Sequence, residues 1–195
     1  MALSEKSKKT QDHVLKTTRA ILMANGFHNT TINDIIKATG VKKGNLYYHF
    51  SSKEEICLAV LEDAKEEFFT FLAQSLQGDS PCAKVVNSCQ AIIVAQKKQI
   101  LVGGCLFGNA ALEMSDSNPR FATVLQDVFV HWVGVIDAQL SLAGPDCSLN
   151  TNLSPSVLAK AIVATIEGGI MMSRVSKEPA DLDDCFVVIK AMLGK

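Results

Sequence analysis

Apolar residues recur at every third or fourth position along most of the chain, which is the spacing of amphipathic α-helices. Alternating runs of β-branched residues bounded by hairpin turns do not occur, so strands are not expected. Glycine, asparagine and proline interrupt the pattern and indicate where helices end. The sequence predicts an all-α protein with a long helix opening at Ser52, a short helix ending at Met114, a polar loop over 144–155, and further helices over about 9–25, 32–39, 43–49, 82–99, 120–143, 156–175 and 180–193.

Short capping signals sharpen some of these boundaries. Thr31 stands three residues before Asp34, and Ser52 stands three residues before Glu55. This is the spacing of a capping box, in which a hydroxyl and a carboxylate at the start of a helix satisfy each other's backbone amides. Gly40 is placed to end the second helix in a left-handed conformation.

Charged residues are distributed unevenly along the chain. The 195 residues carry a net charge of −1, yet residues 1–53 hold nine Lys and Arg against three acids, and residues 54–195 hold ten against seventeen. A basic N-terminal quarter on an acidic body indicates that one end binds a polyanion while the remainder keeps the protein in solution. A chance cluster of lysines is the alternative.

Hydropathy and the N-terminal sequence favour a soluble, intracellular protein. The N-terminus has no apolar core of a signal peptide. The two most apolar stretches, around 100–112 and 161–172, contain glycine pairs and fall short of the roughly 20 residues that span a membrane. We therefore expect a cytoplasmic protein with no membrane partner.

Residue types that bind metals or catalyse reactions are not grouped in the sequence. The six cysteines include no Cys-x-x-Cys pair and the four histidines are scattered, so neither a metal nor another cofactor is expected. Without a secretion signal, free thiols are favoured over disulfides. The motifs of serine hydrolases, zinc proteases, P-loops and dinucleotide-binding folds do not occur, so the sequence argues against an enzyme.

The most informative segment is 31–53, where two short helices are joined by a tight turn. Apolar residues can lock the pair together as a helix-turn-helix and leave the polar side of the second helix exposed. That second helix is rich in Lys, Asn, Tyr and His, which contact phosphates and base edges. We therefore predict a DNA-binding domain over 1–50 and a larger helical domain over 51–195. A purely structural αα-hairpin is the alternative, but it does not need these side chains on one exposed helix.

This segment resembles the tetracycline-repressor (TetR) family of bacterial transcription regulators. The resemblance covers about residues 12–60, and it is carried above all by Lys43-Gly44-Asn45-Leu46-Tyr47-Tyr48-His49-Phe50 followed by Ser52-Lys53-Glu54-Glu55. Lys42 and Asn45 depart from the pattern, because the family often has Ser and Thr at these positions. Lys42 cannot cap the recognition helix as Ser would, and Asn45 changes the group offered to the bases.

The resemblance implies a homodimer whose two recognition helices enter successive major grooves of a near-palindromic, double-stranded operator. The positions that approach bases are Lys42, Lys43, Gly44, Asn45 and Tyr48. The positions that hold phosphates are Thr31, Tyr47, His49 and Lys53. Leu46 and Phe50 are expected in the core. The Asn45 amide has the geometry to bond adenine bidentately.

The resemblance also implies that the larger domain dimerises through its last two helices and holds a small-molecule pocket between the others. Small residues on the helix over 156–175 form the candidate dimer interface: Ala161, Ala164, Thr165, Gly168 and Gly169. Aromatic, flexible and polar side chains form the candidate effector pocket: Cys105, Phe107, Asn109, Glu113, Phe121, Phe129, Trp132, Met171 and Met172. Packing within one chain is the alternative for both sets.

The sequence therefore predicts a repressor, in the bacterial cytoplasm, that a small-molecule effector releases from its operator. Two alternatives remain open. In the first, Cys105 senses electrophiles or oxidants, because a helix N-terminus lowers the pKa of a thiol and the flanking glycines leave its sulfur less covered than that of a core cysteine. In the second, the protein binds DNA without any ligand.

Overall fold

The computed structural model of the chain describes residues 5–98, 103–143 and 152–195. Over these ranges the chain forms nine helices and no strand, which confirms the all-α prediction. The helices are α1 (Glu5–Asn25), α2 (Ile32–Thr39), α3 (Lys43–His49), α4 (Lys53–Ser75), α5 (Pro81–Lys97), α6 (Leu106–Met114), α7 (Pro119–Ser141), α8 (Pro155–Ser176) and α9 (Ala180–Met192). Most of the predicted loop over 144–155, and the predicted helix end at 99, lie outside the described residues.

The helix ends follow local sequence signals closely. The predicted capping box at Thr31 is present: its hydroxyl oxygen accepts from the Asp34 amide at 3.2 Å, and the Asp34 carboxylate accepts from the Thr31 amide at 2.9 Å. Gly40 ends α2 in the left-handed region, with φ of 66°, and donates its amide to Ile36 O. Only α1 starts well before its predicted position, at Glu5, where an ion pair from Glu5 to Lys9 spans the first turn.

The capping box predicted at Ser52 forms only in part. The Ser52 hydroxyl accepts from the Glu55 amide at 3.2 Å, as predicted. The Glu55 carboxylate, however, pairs with Arg120 of α7, and this bond to the guanidinium holds the pKa of Glu55 below its usual value. The long-range ion pair takes the carboxylate away from the local cap, which the spacing of Ser52 and Glu55 alone did not reveal.

The described chain divides into two compact units. Unit 1 takes in the residues up to Glu66 together with Leu106–Leu125, and unit 2 takes in Glu67–Cys105 and Gln126–Lys195. In unit 1, α1 packs on α2, and the ring of Phe27 meets Phe121 edge-on at 6.2 Å between centroids. The fully buried core of this unit includes Val14, Leu22, Phe27, Ile35, Leu46, Ile56, Leu61 and Phe121. Unit 1 therefore extends beyond the three N-terminal helices and includes α6.

In unit 2, α8 packs along α9, and α5 packs against both. Gly169, in the middle of α8, makes this contact close. A side chain at Gly169 would place its Cβ 2.6 Å from the Cys185 sulfur of α9, so only glycine allows the two helices to approach this far. The buried residues of unit 2 include Leu72, Val85, Ile92, Ile136, Leu158, Ile162, Ile166, Leu182 and Ile189.

Two helices of the described chain, α7 and α8, are long and apolar enough to cross a membrane by length and composition alone. The expectation that no stretch reaches that length is wrong for these helices. The stretch over 161–172 is only part of α8, which extends beyond it at both ends, and α7 lies outside the two stretches considered. Both are partly buried inside the fold, as the core helices of soluble proteins are.

The described cysteines are buried. Cys57, Cys89 and Cys185 are free thiols, as expected, and burial raises the pKa of Cys57 and of Cys89 to about 12. Cys82 is disulfide-bonded, which contradicts the expectation of free thiols. Sequence spacing does not reveal which thiols the fold brings together. No group of His, Cys, Asp or Glu that could hold a metal occurs among the residues described.

Candidate nucleic-acid interface

The helix-turn-helix is built by α2, the turn at Gly40, and α3. Leu46 is fully buried on the inner side of α3, Phe50 at its end is 9% exposed, and Ile35 of α2 is fully buried. These three apolar residues belong to one core, so α3 is fixed on its inner side and keeps its polar side outward. The prediction that Leu46 and Phe50 are core residues is confirmed.

The five residues predicted to approach bases are all exposed on the outer side of α3 and its first turn. Tyr48 is 76% exposed, and no heavy atom lies within 4 Å of the position that a Cβ would take at Gly44. The Lys43 ammonium lies 6.0 Å from the centre of the Tyr47 ring. The structure therefore brings donors, an aromatic ring and an open backbone together on one surface, as base contact requires. The five are Lys42, Lys43, Gly44, Asn45 and Tyr48.

Lys42 occupies the N-cap position of α3, and its side chain makes no capping hydrogen bond. Its backbone carbonyl accepts from the amides of Asn45 and Leu46 at 2.9 and 3.0 Å. The ammonium group is exposed, so the lysine gives up the cap that a serine would provide and offers a positive charge beside the bases instead.

Two of the predicted phosphate contacts, Thr31 and Lys53, already have hydrogen-bond partners in the protein. Thr31 uses its amide and its hydroxyl to bond the Asp34 carboxylate, at 2.9 and 2.6 Å, and these bonds hold the pKa of Asp34 below its usual value. The Lys53 ammonium donates to the backbone carbonyl of Phe27 at 3.1 Å. Thr31 and Lys53 thus stabilise the protein itself, and a phosphate would have to compete with these partners.

Tyr47 and His49 lie at the other end of α3. Tyr47 is 43% exposed, while His49 is half-buried and its ring meets Tyr48 edge-on at 5.1 Å. The Nδ1 atom of His49 is buried and has no hydrogen-bond partner among the residues described. The Tyr48 ring therefore contacts the His49 ring while most of its surface remains exposed.

The structure adds α1 to this region, which sequence reasoning did not select. The His13 ring donates from Nε2 to the backbone oxygen of Thr39 at 3.0 Å and ties α1 to the turn before α3. A surface cleft of about 480 Å³ lies beside this bond, lined by Lys9, Thr10, His13, Gly40, Val41, Lys42 and Asn45. The excess of lysines in the first helix was the sequence signal that could have pointed to it.

The candidate effector residues are divided between the two units. Phe107, Asn109, Glu113 and Phe121 belong to unit 1, and the other five belong to unit 2. The Glu113 carboxylate accepts from the amides of Phe27 and His28 at 2.8 and 3.0 Å, so Glu113 holds the corner after α1. Phe121 packs on Phe27 in the same core.

In unit 2, Trp132 is at the centre of an aromatic cluster. It is 2% exposed, meets Phe68 edge-on at 5.2 Å, and stacks with Phe129 at 6.4 Å. Its ring nitrogen has no hydrogen-bond partner among the described residues. Met171 and Met172, by contrast, lie on the surface of the chain and are 60% and 48% exposed.

Cys105 follows two left-handed glycines, with φ of 96° and 75°, and packs beside α8. Cys105 is 8% exposed, the same fraction as the buried Cys185, so the expectation that the glycines leave its sulfur less covered than that of a core cysteine is wrong. The turn folds back onto Ile170 and Arg174 of α8. The thiol is hydrogen-bonded to Glu167, whose pKa is raised by burial and lowered in part by this bond. Glu167 was not selected from the sequence, because a single acid on an apolar helix carries no motif.

The candidate dimer residues face two directions. Gly169 packs on α9, as described above, and the Thr165 hydroxyl bonds the Ala161 carbonyl of its own helix at 2.8 Å. Ala164 is exposed, and nothing lies within 4 Å of a Cβ built at Gly168. The exposed side of α8 continues with large apolar residues, since Val157 is 48% exposed and Val175 is 82% exposed.

Comparison with known proteins agrees with this architecture. Residues 14–60 match the family described as "Bacterial regulatory proteins, tetR family", and residues 81–187 match "Tetracyclin repressor-like, C-terminal domain". An uncharacterized HTH-type transcriptional regulator in the lacX 3' region of Lactococcus lactis is 28% identical, covering 95% of this chain and 94% of its own. The HTH-type transcriptional repressor DhaR of Mycobacterium sp. (strain GP1) is 26% identical, covering 92% of this chain and 89% of its own. The crystal structure of a TetR transcriptional regulator from Chloroflexus aurantiacus has a TM-score of 0.89 at 26% identity and covers 98% of both chains. The chain belongs to the TetR family of bacterial transcriptional regulators.

Proposed function

We propose that this regulator is a repressor that binds a near-palindromic operator as a homodimer and leaves it when a small-molecule effector binds unit 2. Regulators of this family are soluble cytoplasmic proteins that bind operator DNA as dimers, and they are not enzymes. The observation that carries the proposal is the exposed polar side of α3, where Tyr48 is 76% exposed and Asn45 stands beside it. Side chains held outward on a rigid helix can read base edges in the major groove.

The homodimer is supported by an exposed apolar stripe along α8. Val157, Ala161, Ala164, Gly168, Met171 and Val175 follow each other at spacings of four and three residues, which places them on one side of a helix. On α9, which packs along α8, Val187 and Val188 are also 59% and 46% exposed. An apolar surface of this extent on a soluble protein is typical of an interface between chains. We call this set the α8–α9 surface.

The effector site is supported by buried polar atoms of unit 2 that have no hydrogen-bond partner among the residues described. The Trp132 ring nitrogen and the Glu167 Oε1 atom are buried with no hydrogen-bond partner among the residues described. An unsatisfied buried polar group destabilises a protein by about 1–3 kcal/mol, so a ligand that supplies the missing partner binds favourably. The aromatic rings around Trp132 would stack on a planar ligand.

We propose repression instead of activation because the chain is similar over nearly its whole length to DhaR, which is a transcriptional repressor. The thiol-sensing alternative loses its structural support, because Cys105 is 8% exposed. An electrophile would reach it only after the turn before α6 had opened.

Selection of bound duplexes from a random DNA pool tests the proposal directly. We expect a site of two inverted half-sites spaced by about one helical turn, since two recognition helices related by a two-fold axis read successive major grooves. A screen of small molecules for release of that duplex then identifies the effector. Recovery of a single half-site, or of no preferred sequence, would contradict the proposal, and a ligand that tightens binding would contradict repression by release.

A further inference from the structure

We propose that the cleft between α1 and the helix-turn-helix binds a backbone phosphate of the operator, next to the bases that α3 reads. The inference rests on the DNA-binding function proposed above and adds Lys9 of α1 to the surface that contacts the duplex. It assigns to α1 a direct role in binding, beside its structural role in the core.

The residues that line the cleft suit an oxyanion. None of the seven is acidic, and they bring together the ammonium groups of Lys9 and Lys42, the Thr10 hydroxyl and the Asn45 amide. In protein–DNA complexes, the ammonium, hydroxyl and amide groups of side chains donate hydrogen bonds to phosphate oxygens. The cleft volume of about 480 Å³ leaves room for a phosphate and its ordered water.

The walls of the cleft are fixed before any ligand arrives. The bond from His13 Nε2 to Thr39 O, 3.0 Å long, joins α1 to the end of α2. Gly40 follows in a left-handed conformation, and nothing lies within 4 Å of the position that its Cβ would take. The turn is therefore both held in place and open on this side, and a preformed site spends little free energy on ordering its groups.

Lys9 is able to turn from its present partner to a phosphate. Its ammonium lies 3.0 Å from the Glu5 carboxylate, and the two side chains are 76% and 85% exposed. Exposed pairs of this kind contribute little to stability, since water screens both charges. A DNA phosphate, with its fixed position and high local negative charge, displaces Glu5 at small cost.

The position of the cleft identifies the source of the phosphate. Lys42 and Asn45 line it and also belong to the exposed base-approaching side of α3. A phosphate bound here therefore lies beside the major groove that α3 enters, which is where the backbone of the same half-site runs. A free phosphate ion would share the chemistry but not this placement.

The test compares Lys9→Gln with Lys16→Gln in the full-length protein. Both changes remove one exposed positive charge from α1, but Lys16 lies outside the cleft lining, about 10 Å further along the helix. Binding is measured over a range of salt concentrations, on the selected operator and on an unrelated duplex of equal length. Each phosphate contact contributes about 0.9 to the slope of log K against log salt. We expect Lys9→Gln to reduce the slope of the dimer by about 2 on both duplexes, and Lys16→Gln to leave it unchanged.

A second variant gives the opposite sign. Glu5→Gln removes the carboxylate that competes for Lys9, so we expect it to tighten binding on both duplexes. The proposal would be overturned if wild type and Lys9→Gln had equal slopes of log K against log salt. It would also be overturned if Lys9→Gln and Lys16→Gln reduced this slope equally. Binding of inorganic phosphate can be followed by NMR through the Gly40 amide. If inorganic phosphate saturates the cleft but Lys9→Gln leaves the slope of log K against log salt unchanged, the proposal is also overturned. If no operator can be selected, the proposed function fails, while the slopes on the unrelated duplex still decide the role of Lys9.

Discussion

At the scale of single residues, the side chains expected to contact DNA differ in what they already bind in the protein alone. Asn45 and Tyr48 point outward on α3 and are exposed. Thr31 and Lys53 bond Asp34 and the Phe27 carbonyl. The base-approaching residues are therefore prepared for a ligand, whereas the phosphate-holding residues also stabilise the corner around α2. Substitutions in the second group will mix a loss of binding with a loss of stability, so they are poor tests of DNA contact.

Asn45→Ala is a cleaner test of base reading. We expect it to relax the preference at one position of each half-site, because a bidentate amide contact contributes about 1–3 kcal/mol of discrimination. Repeating the DNA selection with the variant measures this. Asn33→Ala, at an exposed position of α2, is the matched control and should leave base preference unchanged. A uniform loss of affinity in Asn45→Ala, with the same preferred sequence as wild type, would show that Asn45 reads no base.

At the scale of an element, the two consecutive glycines of α8 have different surroundings. Gly168 is open to the exposed side of the helix, whereas Gly169 meets the Cys185 sulfur and Leu182 of α9. Glycine inside a helix is unfavourable by about 1 kcal/mol relative to alanine. At Gly169, the close packing of α8 on α9 offsets this unfavourable free energy. Packing inside one chain therefore explains Gly169 but not Gly168.

Gly169→Ala should destabilise the protein by about 1–3 kcal/mol, since the new methyl group overpacks the contact with α9. The added Cβ would lie 2.6 Å from the Cys185 sulfur, so the second substitution Cys185→Ala should recover part of the loss. Gly134→Ala of α7 is the control, because no atom lies within 4 Å of its Cβ position. Urea unfolding of the variants measures the free energies. Equal stability of Gly169→Ala and Gly134→Ala would mean that α8 and α9 are further apart than described.

At the scale of the whole molecule, useful specificity depends on assembly. One recognition helix reads only a few base pairs, and two helices related by a two-fold axis read enough to define an operator. The α8–α9 surface is the part of unit 2 best suited to join two copies, because it is apolar, exposed and continuous along α8.

Val175→Glu should separate the protomers and abolish operator binding while the helical content survives. The side chain is 82% exposed in one chain, so a charge there is tolerated in the monomer but would be buried in the dimer, where it is costly. Val130→Glu, on α7 and 62% exposed, makes the same change away from this surface and should leave the dimer intact. Analytical ultracentrifugation distinguishes the two. If the Val175→Glu variant remained a dimer, the interface would have to lie on another part of the chain.

The sequence by itself determined the features that depend on neighbours within one or two turns of helix. The capping box at Thr31, the left-handed stop at Gly40 and the burial of Leu46 and Phe50 were all predictable, because their partners lie within a few residues. The same holds for the side chains exposed on α3, since helical periodicity places them opposite the core.

Only the tertiary structure decided which groups meet across long stretches of sequence. Glu55 leaves its local cap for Arg120, 65 residues away, and Glu113 bonds the Phe27 amide, 86 residues away. The cleft beside Lys9 and the burial of Cys105 are of the same kind. Such contacts follow from how helices pack, and a carboxylate or thiol has the same local sequence signal whether its partner is water or a distant helix.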